Sequence, residues 1–226
     1  MGTTALKYKC LILDHDDTAV DSTASIHYPA HVQVMRLLRP EQEPISLEGW
    51  FLKNFDPGIM EYLTHELGFN ETEIEKEYEV WRHFTTSKIP PFYPGFIESL
   101  IAYREQGGIV AVVSHSEKSL IERDYLSYEG TMPFMPDSIF GWDYDKTKRK
   151  PSLYPVREIM KTYNLQAEEM LVVDDLKPGV VMARSARICV AAAGWSHCIA
   201  EIEQYMRNNC DVYLENVAEF EAFILS

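Results

Sequence analysis

The sequence has no apolar run approaching the ~18 residues that a membrane-spanning helix needs, so no such helix is expected. It has no Cys-x-x-Cys pair. Its four cysteines, Cys10, Cys189, Cys198 and Cys210, are scattered along the chain. That spread argues against a zinc site and fits reduced thiols better than a disulfide framework. Near the N-terminus there is no basic stretch followed by a signal-like apolar run, and a cytoplasmic location is expected. Positive charge is scarce: 21 Lys and Arg stand against 35 Asp and Glu, for a net charge of −14. Such a surface repels phosphate backbones and anionic lipid, so neither nucleic acid nor membrane is an expected partner. A small phosphorylated molecule stays admissible, because one metal ion and one lysine can reverse the field locally. Also missing are a nucleotide-type glycine loop, a Gly-x-Ser-x-Gly elbow and a His-Glu-x-x-His pair. His27 and His31 are four apart, but Pro29 lies between them, and they read as ordinary histidines.

What is present begins with organisation. A chain of 226 residues with 46% apolar content can build one large domain, or a core with a smaller insertion. Cys10 to Leu13 read as a short buried strand. From Asp21 to Phe92 the character changes, with Pro29, Pro40, Pro44 and Pro57 punctuating amphipathic segments. Asn70 and Glu73 form a helix-start signature, followed at helical spacing by Ile74, Tyr78, Trp81 and Phe84. These aromatics read as packing, and Trp50, Phe51 and Phe55 read as packing of the insertion or, alternatively, as lining of a pocket. The span is expected to be a helical insertion. Beyond Pro94 helices alternate with β-branched strands at 109–113, 170–173, 187–192 and 211–214. That alternation predicts an α/β fold with a parallel sheet covered on both faces.

Three predicted strands end in polar residues: Asp14, Ser114 and Asp174-Asp175. Ligands of open α/β sheets bind at the carboxyl ends of strands. The first strand runs into Asp14-His15-Asp16-Asp17-Thr18. So many carboxylates at a buried strand end repel one another unless a cation lies among them, and hard divalent cations take carboxylate oxygens. Asp14 is the candidate nucleophile and Asp16, two residues on, the candidate general acid-base. Continued strand geometry would set both on one face. Ser114 can donate to a phosphoryl oxygen. Lys150, before Pro151, can neutralise the phosphoryl group and Asp14. Asp174-Asp175 read as metal ligands, with Mg²⁺ the expected ion.

Taken together, these segments resemble the haloacid dehalogenase superfamily of phosphohydrolases, in its branch with a helical cap after the first motif. The family's Asp-x-Asp-x-Thr is met by Asp14 to Thr18, and Asp21-Ser22 continues it. Its strand ending in Ser or Thr is met by Val112-Val113-Ser114, its Lys-Pro by Lys150-Pro151, and its acid-ended strand by Val172-Val173-Asp174-Asp175. Tyr93-Pro94-Gly95 matches the return from cap to core, and Ala192-Ala193-Gly194-Trp195 a late family segment. The resemblance implies a doubly wound, Rossmann-like core from residues 1–20 and 93–226, and a helical cap domain at 21–92. It implies Asp14 as nucleophile and Mg²⁺ ligand, and Asp16 as acid-base that binds metal through its backbone carbonyl. Ser114 and Lys150 would hold the phosphoryl group. Asp175 would take the main metal position, with Asp174 beside it. Two departures stand out: Asp17 replaces a usual Gly, and Gly179 falls where many members carry a further acid.

The resemblance implies a Mg²⁺-dependent phosphatase acting on a small phosphorylated metabolite, since the acid-base Asp16 favours cleavage of a phosphate ester. The alternatives are a sugar-phosphate mutase, for which His27 lies near the hinge-histidine position, and a binding or regulatory protein that kept the fold and lost turnover. Substrate identity and oligomeric state are not readable from the residues.

Overall fold

A computed structural model describes residues 6–130 and 132–226. In chain order its elements are β1 (Cys10–Leu13), α1 (Tyr28–Leu38), α2 (Leu47–Phe55), α3 (Ile59–Glu61), α4 (Glu71–Ser87), α5 (Phe96–Glu105), β2 (Ile109–Val113) and α6 (Lys118–Leu126). There follow β3 (Ser138–Phe140), α7 (Tyr154–Tyr163), β4 (Met170–Asp174), α8 (Lys177–Ala186), β5 (Cys189–Ala193), α9 (Ala200–Asn209), β6 (Val212–Leu214) and α10 (Val217–Ile224). The chain divides into two compact units. One runs up to Val20 and resumes at Phe92; the other is Asp21–Pro91.

The first unit is built on a six-stranded sheet in the order β3-β2-β1-β4-β5-β6, with every neighbouring pair parallel. Strands buried on both faces favour continuous apolar runs, as in the sequence of β1 and β2. Leu11 and Leu13 share one core with Val110, Val112, Leu171 and Val173, closed by Phe96, Leu100, Tyr103 and Phe220. Alternate residues Cys10, Ile12, Ala111 and Val172 are buried as well, since successive strand side chains point to opposite faces. The strand order reverses at β1, which therefore lies between the two halves of the sheet.

Two elements of this unit differ from the sequence expectation. The edge strand β3 was not anticipated: it is three residues long, too short for an alternation signal to emerge. It pairs with β2 through Ala111↔Ser138 to Val113↔Phe140. Helix α8 starts at Lys177 rather than Val181, with Pro178 in its first turn, where a missing N–H costs nothing.

The Asp21–Pro91 unit is helical. Asn70 and Glu73 cap α4 reciprocally, each bond 3.0 Å long, as their spacing predicts. Arg39 reaches the same Glu73 and the Leu67 carbonyl, and its guanidinium lies over the Phe69 ring. Val34, Met35, Trp50, Tyr62, Leu63 and Phe69 form the buried centre. Trp50, Phe51 and Phe55 are buried. In α4, Ile74 packs on this centre, whereas Tyr78 is exposed and stacks on Trp81. His27 and His31 are both occupied within the unit. The indole N–H of Trp81 donates to His27 Nδ1 at 3.1 Å. His31 stacks on Trp50 with ring centres 4.3 Å apart.

Candidate active site

The register of the central strands explains why residues far apart in sequence converge. Leu13 of β1 lies opposite Val112 of β2 and Val173 of β4. One residue further, the Asp14 N–H donates to the Val173 carbonyl at 2.9 Å, and Ser114 N–H to Phe140 at 2.9 Å. Asp14, Ser114 and Asp174 therefore leave the sheet at its carboxyl edge on three strands.

Asp14, Asp174 and Asp175 are all buried and bring carboxylate oxygens within 4.8 Å of one another. Lys150 is buried with them. Its Nζ lies 2.7 Å from Asp14 Oδ1 and 2.8 Å from Asp174 Oδ2. The contact with Asp174 is a hydrogen bond, and that with Asp14 a close ion pair. Burial opposes the ammonium, but Asp14 and Asp174 outweigh it and raise the Lys150 pKa. Three carboxylates thus share one ammonium. The excess falls on Asp175, whose pKa is raised well above normal by burial and then by Asp174, Asp14 and Asp17. Burial also raises Asp174, against the pull of Lys150.

These residues fit a divalent cation. With every carboxylate ionised the cluster carries two uncompensated negative charges, and among the described residues the buried Asp175 Oδ2 has no hydrogen-bond partner. Its other oxygen accepts from Thr18 Oγ1 at 3.3 Å. Oxygen-only ligands suit Mg²⁺. Asp174 Oδ1 is turned to the start of α8, accepting from the Leu176 N–H at 2.9 Å. Gly179 lets this happen: a Cβ there would sit 2.0 Å from Asp174 Oδ2.

Asp16 stands apart from this cluster. Its Oδ2 accepts from Ser116 Oγ at 2.5 Å. Ser116 also donates its N–H to Ser114 Oγ at 3.1 Å, so one residue orients both. The Asp14–Asp16 backbone has already left strand geometry, since Val20 and Ala19 return their N–H groups to the His15 carbonyl. Asp17 takes a left-handed backbone, φ 57°, where glycine is the easy choice and Asp is among the better-tolerated alternatives. Its carboxylate adds to the negative field at Asp175.

Four further residues escaped the sequence reading. Ser116 had a faint signal as the second hydroxyl of Ser-x-Ser after a strand. His115 Nε2–H donates to the Lys150 carbonyl at 2.7 Å, tying the end of β2 to the lysine. His197, in the loop after β5, lies with Nε2 3.8 Å from Asp175 Oδ2, and burial lowers its pKa to about 4. Asp124 of α6 bonds His15 from 109 positions away, a separation no local pattern reveals.

Comparison with known proteins places the chain in a family. A family model described as haloacid dehalogenase-like hydrolase matches residues 8–187. A phosphoglycolate phosphatase of Vibrio cholerae is 24% identical over 186 residues, covering 79% of this chain and 80% of its own. A predicted phosphoglycolate phosphatase from Haemophilus somnus superposes with a TM-score of 0.73 at 17% identity, covering 97% of this chain and 98% of that one. A candidate β-phosphoglucomutase from Bacteroides vulgatus gives 0.72 at 20% identity, covering 96% and 88%. These structural likenesses are likenesses of fold. The family match spans more than three quarters of the chain, and with it this protein belongs to the haloacid dehalogenase-like hydrolases.

Proposed function

We propose that the protein is a Mg²⁺-dependent phosphatase that hydrolyses a small phosphorylated metabolite through an aspartyl-phosphate on Asp14. The observation that carries this reading is the buried triad of Asp14, Asp174 and Asp175 with the Lys150 ammonium set between Asp14 and Asp174. A carboxylate held in that way is a nucleophile at the carboxyl edge of a parallel sheet.

In the first half-reaction an Asp14 oxygen attacks phosphorus, the bond to the ester oxygen breaks, and Asp16 gives its proton to that leaving oxygen. In the second, Asp16 takes a proton from water, whose oxygen attacks the same phosphorus. Inorganic phosphate leaves and Asp14 is regenerated. Ser114 and Lys150 hold the phosphoryl oxygens. Asp14, Asp174, Asp175 and the Asp16 carbonyl are the groups that would hold Mg²⁺. The ion, when bound, supplies the positive charge that lets an anionic carboxylate approach an anionic phosphoryl group. Substrate choice is assigned to the 21–92 insertion, in the role of a cap domain. Curated relatives named as phosphoglycolate phosphatases make a short phosphorylated acid the first substrate to try.

The test is inorganic phosphate release from a panel of phosphorylated metabolites, with Mg²⁺ and with chelator, beside Asp14→Asn. Release that needs Mg²⁺ and disappears in the variant is the expected result. Wild-type turnover in Asp14→Asn overturns the mechanism. Interconversion of sugar phosphates that requires a bisphosphate, with little phosphate released, would favour a mutase. No conversion of any compound would favour a binding protein.

A further inference from the structure

His15 sits between the proposed nucleophile and the proposed acid-base, and its side chain is committed elsewhere. It is 1% exposed, and its Nε2 lies 3.1 Å from Asp124 Oδ2 on α6. Asp124 is itself buried, and its other oxygen accepts from Arg123 Nε at 2.8 Å and Nη2 at 2.6 Å. Phe92 and Tyr125 flank the imidazole, with ring centres 6.5 and 5.8 Å away. A buried carboxylate and imidazole in an aromatic enclosure are expensive unless their bond is made, so the ring has one favourable position.

The backbone of the same residue is the hub of the loop. The His15 carbonyl accepts from the N–H groups of Ala19, at 2.9 Å, and Val20, at 3.1 Å. Asp17 N–H closes the turn on the Val20 carbonyl at 2.8 Å. The carboxylates on either side of His15 are thus attached to a peptide whose orientation its side chain fixes. The Asp14 end has a second anchor in its N–H bond to Val173. The Asp16 end has the Ser116 hydroxyl, on the segment that leads into α6. Asp124 and Ser116 therefore hold the Asp16 side of the loop from the same stretch of chain.

We propose that Asp124, acting through His15, is a positioning residue that sets where Asp16 stands relative to the leaving oxygen. The inference rests on the phosphatase reading of the site and adds a residue to it. Positioning of this kind acts on the step in which a proton is given, because a small displacement of an acid sharply lowers its efficiency. An alkyl phosphate leaves as a poor, strongly basic alkoxide and needs that proton. An aryl phosphate with an electron-withdrawing ring leaves without much help.

The experiment compares the two ester classes, glycolate phosphate for the alkyl and p-nitrophenyl phosphate for the aryl, in wild type, Asp124→Ala, His15→Phe and the double variant. In each single variant kcat/KM, which covers the steps up to departure of the leaving group and leaves out hydrolysis of the shared aspartyl-phosphate, is expected to fall roughly 10–100-fold for the alkyl ester and less than about threefold for the aryl ester. The double variant is expected to be no worse than either single, because both remove one interaction. Retained aryl turnover reports that the fold survives. If Asp124→Ala does not fold, Asp124→Asn, which keeps an acceptor for His15, is expected to stay near wild type on both esters while His15→Phe shows the selective loss. Equal losses on both esters, or additive losses in the double variant, overturn the proposal. A wild type that releases phosphate from no compound of the metabolite panel would instead count against the phosphatase reading, not against the anchor alone.

Discussion

Replacing Gly179 by Ala sets two effects against each other, and the structure says which wins. Gly179 is in the first turn of α8, where Ala is favoured over Gly by up to about 1 kcal/mol on helix propensity alone. An added Cβ, however, would lie 2.0 Å from Asp174 Oδ2, 2.3 Å from its Cγ and 2.5 Å from its Cβ. Rotating the aspartate about Cα–Cβ moves the first two atoms and leaves the third, so the backbone of α8 or β4 must shift. Overpacking of this kind costs about 1–3 kcal/mol. The shift also disturbs the bonds from Lys150 Nζ at 2.8 Å and Leu176 N–H at 2.9 Å, both of which hold a buried carboxylate. The net expectation is a loss of about 2 kcal/mol, or roughly 4–8 °C in Tm for a chain of this size. Phosphate release should fall with it, because Asp174 anchors Lys150 beside Asp14. Thermal and urea unfolding of Gly179→Ala at neutral pH measure the first quantity. A variant as stable as wild type, or more so, would refute the reasoning, since propensity would then have outweighed the clash.

Lys150→Met removes the ammonium from among buried carboxylates. Stranding such a charge costs about 3–5 kcal/mol, so the variant should be markedly less stable in chelator, and less so with excess Mg²⁺, which supplies replacement charge. Identical losses with and without Mg²⁺ would count against a cation site there. His31 supplies a pH test in the helical unit. Burial lowers its pKa to about 4, and among the described residues neither ring nitrogen has a hydrogen-bond partner. Folding therefore favours the neutral ring: its contribution is intact above about pH 6.5 and is lost as pH falls toward 4. Wild type should lose about 2–3 kcal/mol between pH 7 and 4.5 that His31→Phe keeps. Denaturant midpoints at the two values check this, and parallel losses would refute it.

Much of the first unit was legible because its signals are local. β1, β2 and β4 are β-branched or leucine-rich runs, and each ends in a residue that a buried strand has no use for. Asn70 and Glu73 announced α4 through a pairing three residues long. β3 was illegible because Ser138–Phe140 gains its strand geometry from β2, not from its own pattern. Tyr78 read as packing and is exposed, since helical spacing marks a stripe without saying whether anything covers it.

The site divides along the same line. The sequence by itself determined which residue types stand at strand ends, and so the chemistry open to Asp14, Asp16, Ser114, Lys150, Asp174 and Asp175. Only the tertiary structure decided their grouping. Parallel pairing of β1 with both β2 and β4 draws Asp14 toward Asp174 across 160 residues of chain and lets Lys150 serve both. It also turned Asp16 away from that cluster onto Ser116, set Gly179 against Asp174, and joined His15 to Asp124. Strand register and burial are properties of the packed sheet, and electrostatic coupling among buried charges exists only once water has been excluded from between them.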